Sequence, residues 1–259
     1  MTFSPTILVV ALAAGLTASP AHVPARTQIS IRYSDGTETS TANAHESRPA
    51  LSLIKLHLGY WVLLHGAPAD KALVEDMIRT SDDGTASYLD KKYPQAIPEI
   101  ISRHQLRETH YNGYWGVSTT STHDLTRFLW IVVRDPAAEP LLRGMRTASP
   151  VSRDGYRQDF GTARIPGVWG SKFGWADDQD VHATVSFGQD FTVAATTFGS
   201  PADLTHDVLA AVRIVPQDTA PEPSRLERQI LPLIPQQWRP TVRMWITAAS
   251  NAAFAQSAR

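Results

Sequence analysis

The stretch that most constrains the fold is "RPALSLIKLHLGYWVLLHG", residues 48–66. Pro49 can occupy the first turn of a helix, and Gly66 can end one. The positions between them are apolar almost all round the helical projection, so a helix here has no polar face to turn toward water. The sequence therefore predicts a central helix that other elements cover on every side.

A serine and a lysine lie close together near the start of this apolar stretch. Ser52 and Lys55 are three positions apart, which makes them neighbours on one helical face. An ammonium in apolar surroundings loses its hydration and needs partners or a function. Two interpretations are open: Ser52 bonds a backbone carbonyl while Lys55 extends outward to water, or the two side chains act together in chemistry.

Strand patterns on both sides of the helical region complete the architecture. Residues 27–41 alternate around a Ser-Asp-Gly turn, which predicts a hairpin. Residues 164–200 contain three strand-like runs separated by Gly-rich or Asp-rich turns, and residues 201–215 form an amphipathic helical pattern. We expect an α/β fold of the α+β type, with an antiparallel sheet of about five strands flanked by helices.

The region between the first hairpin and the three later strands predicts further helices. Asp70 can cap a helix over 71–80, and another helical piece follows from Thr85 to Tyr93. Thr122 can cap a helix over 124–133.

Three motifs stand on these elements in a fixed order: Ser52-Leu53-Ile54-Lys55, Ser81-Asp82-Asp83 and Lys172-Phe173-Gly174. They resemble the S-x-x-K, S-D-N and K-T-G motifs of the penicillin-recognising serine hydrolases, which include the class A β-lactamases and the D-Ala-D-Ala peptidases. The similarity covers about 27–215 and includes the segment 120–129, which is similar to the stretch after the active-site loop of those enzymes.

The resemblance implies a catalytic role for each of these residues. Ser52 would attack an amide or lactam carbonyl, Lys55 would be its base, and Ser81 would carry the proton to the leaving nitrogen. Lys172 would supply positive potential for the substrate carboxylate and for the deprotonation of Lys55. The backbone N–H groups of Ser52 and Trp175 would form an oxyanion hole, an effect typically worth about 3 kcal/mol per donor.

Asp83, Gly174 and Trp175 are the substrate-binding residues that the resemblance implies, but two positions depart from the family pattern. Asp83 replaces an asparagine; an ionised carboxylate accepts hydrogen bonds but cannot donate them, and it would hold Lys55 charged. Phe173 replaces a hydroxyl residue, so we expect it to lose a hydrogen bond and to fill space in the cleft.

Two further differences from the family pattern concern the shape of the cleft and the hydrolysis of the acyl-enzyme. Ser81 follows Ser52 by only 29 positions, which predicts a reduced helical lobe and a more open cleft. Glu108 lies near the place of the glutamate that activates the deacylating water in class A enzymes, but it lacks the surrounding pattern. We interpret Glu108 as a surface carboxylate and expect an acyl-enzyme to hydrolyse slowly.

The amino-acid composition excludes or disfavours several classes of binding partner. The chain has 24 basic and 25 acidic residues and a net charge of −1, so nothing global favours nucleic acid or an anionic surface. Zero cysteines exclude disulfides and thiolate chemistry, and the nine histidines form no H-x-x-x-H or H-x-H pair, so we expect no metal and no cofactor. Five aromatic residues stand where they can line a cleft, although packing is their more usual role: Tyr111, Tyr114, Trp115, Trp169 and Trp175.

The ends of the sequence differ from its middle. Residues 1–21 resemble an export signal cut after Ala21, although no basic residue precedes the apolar stretch, so a plain N-terminal helix or a misplaced start codon is the alternative. The predicted β-lactamase-like domain spans 27–215, a proline-rich linker 216–224, and a basic tail 225–259. The tail is interpreted as a partly ordered appendage or as a segment that docks on an acidic partner.

These observations predict an exported serine hydrolase that forms an acyl-enzyme with a cell-wall peptide amide or a β-lactam. The alternative is a non-catalytic protein of the cell envelope that keeps the fold for binding or interaction. Asp83, Phe173 and the short helical region motivate the alternative.

Overall fold

The structure, a computed structural model, describes residues 14–18 and 23–216. The predicted tail, all of the predicted linker except Pro216, and most of the predicted signal peptide lie outside the described residues; residues 14–18 of that peptide form a strand. Apart from the outer ends of the first and last strands, the elements discussed below belong to one compact unit, Leu16–Ile214. Among the described residues, no helix has both the length and the apolar character to cross a bilayer.

A five-stranded antiparallel sheet is the main β-structure of the described chain. The strands are β1 (Ala14–Ala18), β2 (Thr27–Tyr33), β3 (Glu38–Ser40), β4 (Arg48–Pro49), β5 (Thr119–Thr120), β6 (Val168–Trp175), β7 (Val181–Gly188), β8 (Phe191–Phe198) and β9 (Val212–Pro216). The large sheet has the order β3-β2-β8-β7-β6, while β1 pairs with β9 and β4 with β5. The predicted hairpin is β2–β3, in which Arg32 lies opposite Glu38. The predicted fold class is confirmed, and β6 is an edge strand of the sheet.

Helices cover both faces of this sheet. They are α1 (Lys55–His65), α2 (Pro68–Lys71), α3 (Val74–Thr80), α4 (Asp83–Lys92), α5 (Ala96–His104), α6 (Thr122–Val132), α7 (Glu139–Arg146) and α8 (Pro201–Ala211). A cluster around α1 buries Leu125 and Phe128 of α6 together with Val185 of β7. A second cluster lies on the opposite face of the sheet, where α8 contributes Leu204 and Val208. The side of the sheet that a β6 residue faces therefore decides whether it meets α1 or α8.

The central helix is confirmed, but it begins later than predicted. Arg48 and Pro49 pair with β5 instead of starting a helix, and the Ala50 N–H donates to the Ser118 carbonyl at 2.9 Å. Leu51 then takes a left-handed conformation with φ 54°, and the chain makes a 3-10 turn over Leu51–Ile54. Pairing with β5 therefore overrides the helix-starting preference of the proline.

Two predicted helix caps are wrong. Asp70 lies inside α2, where its buried carboxylate accepts hydrogen bonds from Tyr88 Oη at 3.1 Å and Tyr93 Oη at 2.5 Å. The Ser121 hydroxyl, rather than that of Thr122, caps α6 by accepting from the Asp124 N–H at 3.0 Å. The Thr122 hydroxyl instead lies 3.0 Å from Ser30 Oγ on β2. The partners of Asp70 and Thr122 are distant in sequence, so single-sequence patterns cannot show them.

His57, two positions after Lys55, is a buried polar residue of α1. Its ring stacks on Phe128 with centroids 4.0 Å apart. Both ring nitrogens are buried without a hydrogen-bond partner among the described residues. Burial lowers the pKa of His57 to about 3, since a charged imidazole has no solvation there.

Because His57 is buried in its neutral form, we expect the protein to lose stability in acid. The folded state keeps the imidazole neutral, whereas the unfolded state binds a proton below its usual pKa of 6.5, so the free energy of unfolding falls as the pH drops through this range. From pH 7 to pH 5 this group accounts for about 2 kcal/mol. We expect His57→Leu to lose that part of the pH dependence in denaturant titrations, whereas replacement of the exposed His206 by Gln keeps it. An unchanged acid slope in His57→Leu would contradict this explanation.

Candidate active site

Ser52 lies in the tight turn that leads into α1. The turn follows the left-handed Leu51, and it places Ser52 at the edge of the apolar cluster with its side chain only partly covered. A non-glycine residue in this conformation is uncommon and strained, and such residues are concentrated at functional sites. The serine hydroxyl is therefore held at an accessible position beside a buried helix.

Lys55 is completely buried, so the interpretation in which its side chain extends to water is wrong. Its Nζ donates to Ser52 Oγ at 2.8 Å and to the Ser81 carbonyl at 2.9 Å. A third contact joins Nζ to a carboxylate oxygen of Asp83. Three oxygen partners replace the water that this ammonium loses on burial.

Ser81 stands between two amines. It ends α3 in a left-handed conformation with φ 57°, which directs its side chain away from the helix. Its Oγ accepts from Lys172 Nζ at 2.7 Å and lies 3.4 Å from Lys55 Nζ. The next residue, Asp82, caps α4 by accepting from the Gly84 and Thr85 N–H groups. The Ser-Asp-Asp motif is therefore both a helix-to-helix junction and part of the site.

Lys172 reaches Ser81 because of the register of β6. Lys172 pairs with Val185, and Val185 pairs with Ala194, which belongs to the cluster around α1. The Lys172 side chain consequently points toward α1, is completely buried, and also donates to the Phe173 carbonyl at 2.9 Å.

The neighbouring Phe173 points the other way. It belongs to the cluster under α8, with its ring 5.3 Å from that of Phe160. The expectation that this side chain fills space in the cleft is therefore wrong. What the cleft loses at this position is the hydroxyl group alone.

Gly174 and Trp175 bring the edge of the sheet to Ser52. A Cβ atom on Gly174 would lie 2.8 Å from Leu51 Cβ and 3.2 Å from the Ser52 nitrogen, so only glycine fits without movement. The Ala176 N–H donates to Val181 on β7. Because N–H groups alternate in direction along a strand, the Trp175 N–H points away from β7, toward the open edge where Ser52 lies.

The two buried lysines influence each other. Burial lowers the pKa of Lys55, and the negative charge of Asp83 opposes this shift without cancelling it. Burial also lowers the pKa of Lys172 well below its usual value, and the charge of Lys55 adds to the effect. Both amines therefore release a proton more readily than a lysine in water does.

Trp115 is a site residue whose contact with Lys55 the sequence did not indicate, although its ring is one of the five named as able to line a cleft. Its ring lies over the Lys55 amine, with Nζ 4.4 Å from the ring centroid. Its backbone N–H donates to Asp90 at 3.0 Å and its Nε1 to Ser87 Oγ at 3.1 Å, both on α4. A short loop places this ring by tertiary contacts, so no local pattern marks it.

Asp154 is the second such residue. It lies in an exposed loop, and its charge acts on both Lys55 and Lys172. Glu108, by contrast, contacts His45 at 3.3 Å, and its own backbone N–H donates to Asp124 at 2.9 Å, on the side of α6. Among the described residues, no group of three or more metal-binding side chains is close enough to hold an ion.

A cavity of about 770 Å³ lies beside the site rather than in it. It is lined by Phe160 and by the start of α8, including His206. It shares Tyr156 with the site, because the Tyr156 ring stacks on Trp175 at 4.6 Å. The cavity lining does not include the motif side chains Ser52, Lys55, Ser81 and Lys172. The candidate site is therefore defined by the hydrogen bonds among these four side chains and not by the cavity.

Removing the negative charge at residue 83 should shift the reactivity of Ser52 to lower pH. In Asp83→Asn the pKa of Lys55 falls further, because the attraction that partly offsets burial is lost. We measure the rate at which a fluorophosphonate labels Ser52 as a function of pH. On the acidic side of this profile, the pH of half-maximal rate should be lower in Asp83→Asn than in the wild type. Asp82→Asn is the matched control: asparagine is also a good helix cap, and Asp82 acts on Lys55 only weakly. Equal shifts in both variants would contradict the role of the Asp83 contact.

Comparisons with known proteins support the fold. No protein-family model matches the chain, and no curated protein sequence does either. Among solved structures, a β-lactamase from Streptomyces albus G is 16% identical with a TM-score of 0.58, covering 71% of this chain and 92% of its own. A β-lactamase from Sphaerobacter thermophilus is 15% identical with a TM-score of 0.57, covering 71% and 89%. An ancestral class A β-lactamase is 13% identical with a TM-score of 0.53, covering 70% and 91%. The resemblance carried by the three motifs is thus confirmed for the fold, and the chain is a divergent example of the penicillin-recognising serine hydrolase fold.

Proposed function

We propose that the protein is an exported serine hydrolase of the β-lactamase-like type, which forms an acyl-enzyme on Ser52 with a cell-wall peptide amide or a β-lactam. The observation that carries the proposal is the continuous contact from Ser52 Oγ through Lys55 Nζ and Ser81 Oγ to Lys172 Nζ. Export is an expectation from the N-terminal apolar stretch alone.

In the proposed acylation, neutral Lys55 removes the proton from Ser52 as its oxygen attacks the carbonyl carbon. The proton passes to Ser81, which delivers it to the leaving nitrogen as the carbon–nitrogen bond breaks. Lys172 orients the Ser81 hydroxyl and, when charged, favours the neutral form of Lys55. The N–H groups of Ser52 and Trp175 stabilise the oxyanion.

The first test is covalent labelling. Wild-type protein should react with a fluorescent penicillin or a fluorophosphonate and carry the adduct on Ser52, as located by mass spectrometry. Ser52→Ala should abolish the adduct and leave the thermal unfolding transition close to that of the wild type, because the hydroxyl accounts for only about 1 kcal/mol. Absence of labelling in the wild type over a range of pH and reagents would rule out the proposed chemistry.

The contacts of Trp115 support slow release of the acyl group. The indole ring covers the Lys55 amine and has no group that can activate water. The carboxylate that reaches the same amine, Asp83, is already paired with it. Loss of a general base typically slows a step by about 10²–10⁴-fold, so the proposed acyl-enzyme outlives that of an efficient β-lactamase.

Loosening the Trp115 ring should shorten the life of the adduct. Ser87→Ala removes the acceptor of the indole N–H, and we expect it to admit water and to increase the rate at which labelled penicillin is lost in a pulse-chase experiment. Ser102→Ala makes the same change at an exposed position of α5 and should keep the long-lived adduct. Rapid loss of the adduct in the wild type would contradict the proposed protection.

A second candidate function is binding without turnover. The direct pairing of Asp83 with Lys55 favours it, because this contact stabilises the charged amine that cannot act as a base. In that case Ser52→Ala would bind cell-wall peptides as the wild type does, and neither protein would form an adduct.

A further inference from the structure

One wall of the candidate site is the loop Ser152–Tyr156. At one end of the loop the Arg153 N–H donates to the Thr80 carbonyl at 2.8 Å, directly before Ser81. At the other end the Tyr156 ring stacks on Trp175 with centroids 4.6 Å apart and planes inclined by 14°. The loop therefore spans from the proton-carrying serine to the edge of the sheet.

Asp154 is at the exposed tip of this loop. Its carboxylate accepts from Ser152 Oγ and from the Tyr156 N–H at 3.3 Å, which fixes its position between the two anchors. Its charge acts on both Lys55 and Lys172. Asp154 therefore belongs to the rim of the site rather than to a remote surface.

The charge that this rim presents to solvent is negative. Both amines are completely buried, whereas the Asp83 side chain is 62% exposed and Asp154 is exposed. The cation of the same loop, Arg153, is engaged by Asp76 at 3.0 Å and by Asp82 at 3.5 Å.

This arrangement opposes a substrate carboxylate beside Lys172. Lys172 already donates to Ser81 and to the Phe173 carbonyl, and Phe173 supplies no hydroxyl to the cleft. An anionic group here would be repelled by both carboxylates, while a cationic group would be attracted by them. Because these carboxylates are exposed to solvent, the discrimination is moderate and sensitive to salt.

We propose that Asp154, together with Asp83, selects substrates that carry a positively charged group on the leaving side of the scissile bond, such as the ammonium of a basic amino acid. The proposal rests on the proposed acylation of Ser52 and, of the two substrate classes proposed above, it favours a peptide amide with a basic leaving group over a β-lactam, which carries a carboxylate on the leaving side. Asp154 is a specificity residue, since it reaches the substrate charge and not the reacting atoms.

The test uses three thioesters with one acyl group and different leaving thiols: mercaptoacetate, mercaptoacetamide and thiocholine, whose quaternary ammonium cannot itself take up the acyl group. In each acylation the Ser52 oxygen forms the new ester, the carbon–sulfur bond breaks, and the serine proton goes to the departing sulfur. Rates are divided by the hydroxide-catalysed rate of the same thioester, which removes differences in intrinsic reactivity. We expect the ammonium-bearing donor to exceed the carboxylate-bearing donor by at least about fivefold at low salt.

In Asp154→Asn, which keeps the oxygen that accepts from Ser152 and Tyr156, this ratio should fall several-fold. Asp190→Asn makes the same charge change in the turn between β7 and β8 and should leave the ratio unchanged. Preference for the carboxylate, equal rates, or a ratio that Asp154→Asn does not alter would overturn the inference while the proposed chemistry stands. Failure of every donor to acylate Ser52 would overturn both.

Discussion

The site depends on one buried ammonium group. Lys55 emerges from a helix that is apolar on all sides, and oxygens of Ser52, Ser81 and Asp83 are its partners. Each partner comes with its own structural requirement: a strained turn before α1, a left-handed end to α3, and the first residue of α4. Solvating this amine therefore fixes the mutual positions of three helices, and the cleft is a result of that packing.

The second amine of the site, that of Lys172, is placed there by the register in which β6 pairs with β7. Because side chains alternate across a strand, Lys172 joins the α1 face and Phe173 the α8 face. A shift of one residue would exchange them and place an aromatic ring against Ser81. The large apolar clusters on both faces make that shift costly, so the same burial that stabilises the fold also aligns the polar chain.

The sequence was sufficient for the elements whose pattern is local. The hairpin, the three later strands, the apolar helix and the order of the motifs follow from periodicity and turn residues, and these carried the resemblance. What failed depended on contacts distant in sequence: Pro49 pairs with β5, Asp70 binds two tyrosines, and Phe173 turns to α8. Trp115 and Asp154 lie outside the regular elements: two hydrogen bonds to α4 place Trp115, and the bond from the Arg153 N–H to the Thr80 carbonyl places the loop that carries Asp154.

At Ser81 the requirements of backbone stability and of chemistry conflict. The left-handed backbone that directs the hydroxyl between two amines is one that glycine or asparagine adopts more easily than serine does. The residue best suited to end α3 is thus not the residue that can carry a proton. At this junction thermodynamic robustness and reactivity make opposite demands on a single position, and retention of the hydroxyl leaves the helical region less stable than its backbone would allow.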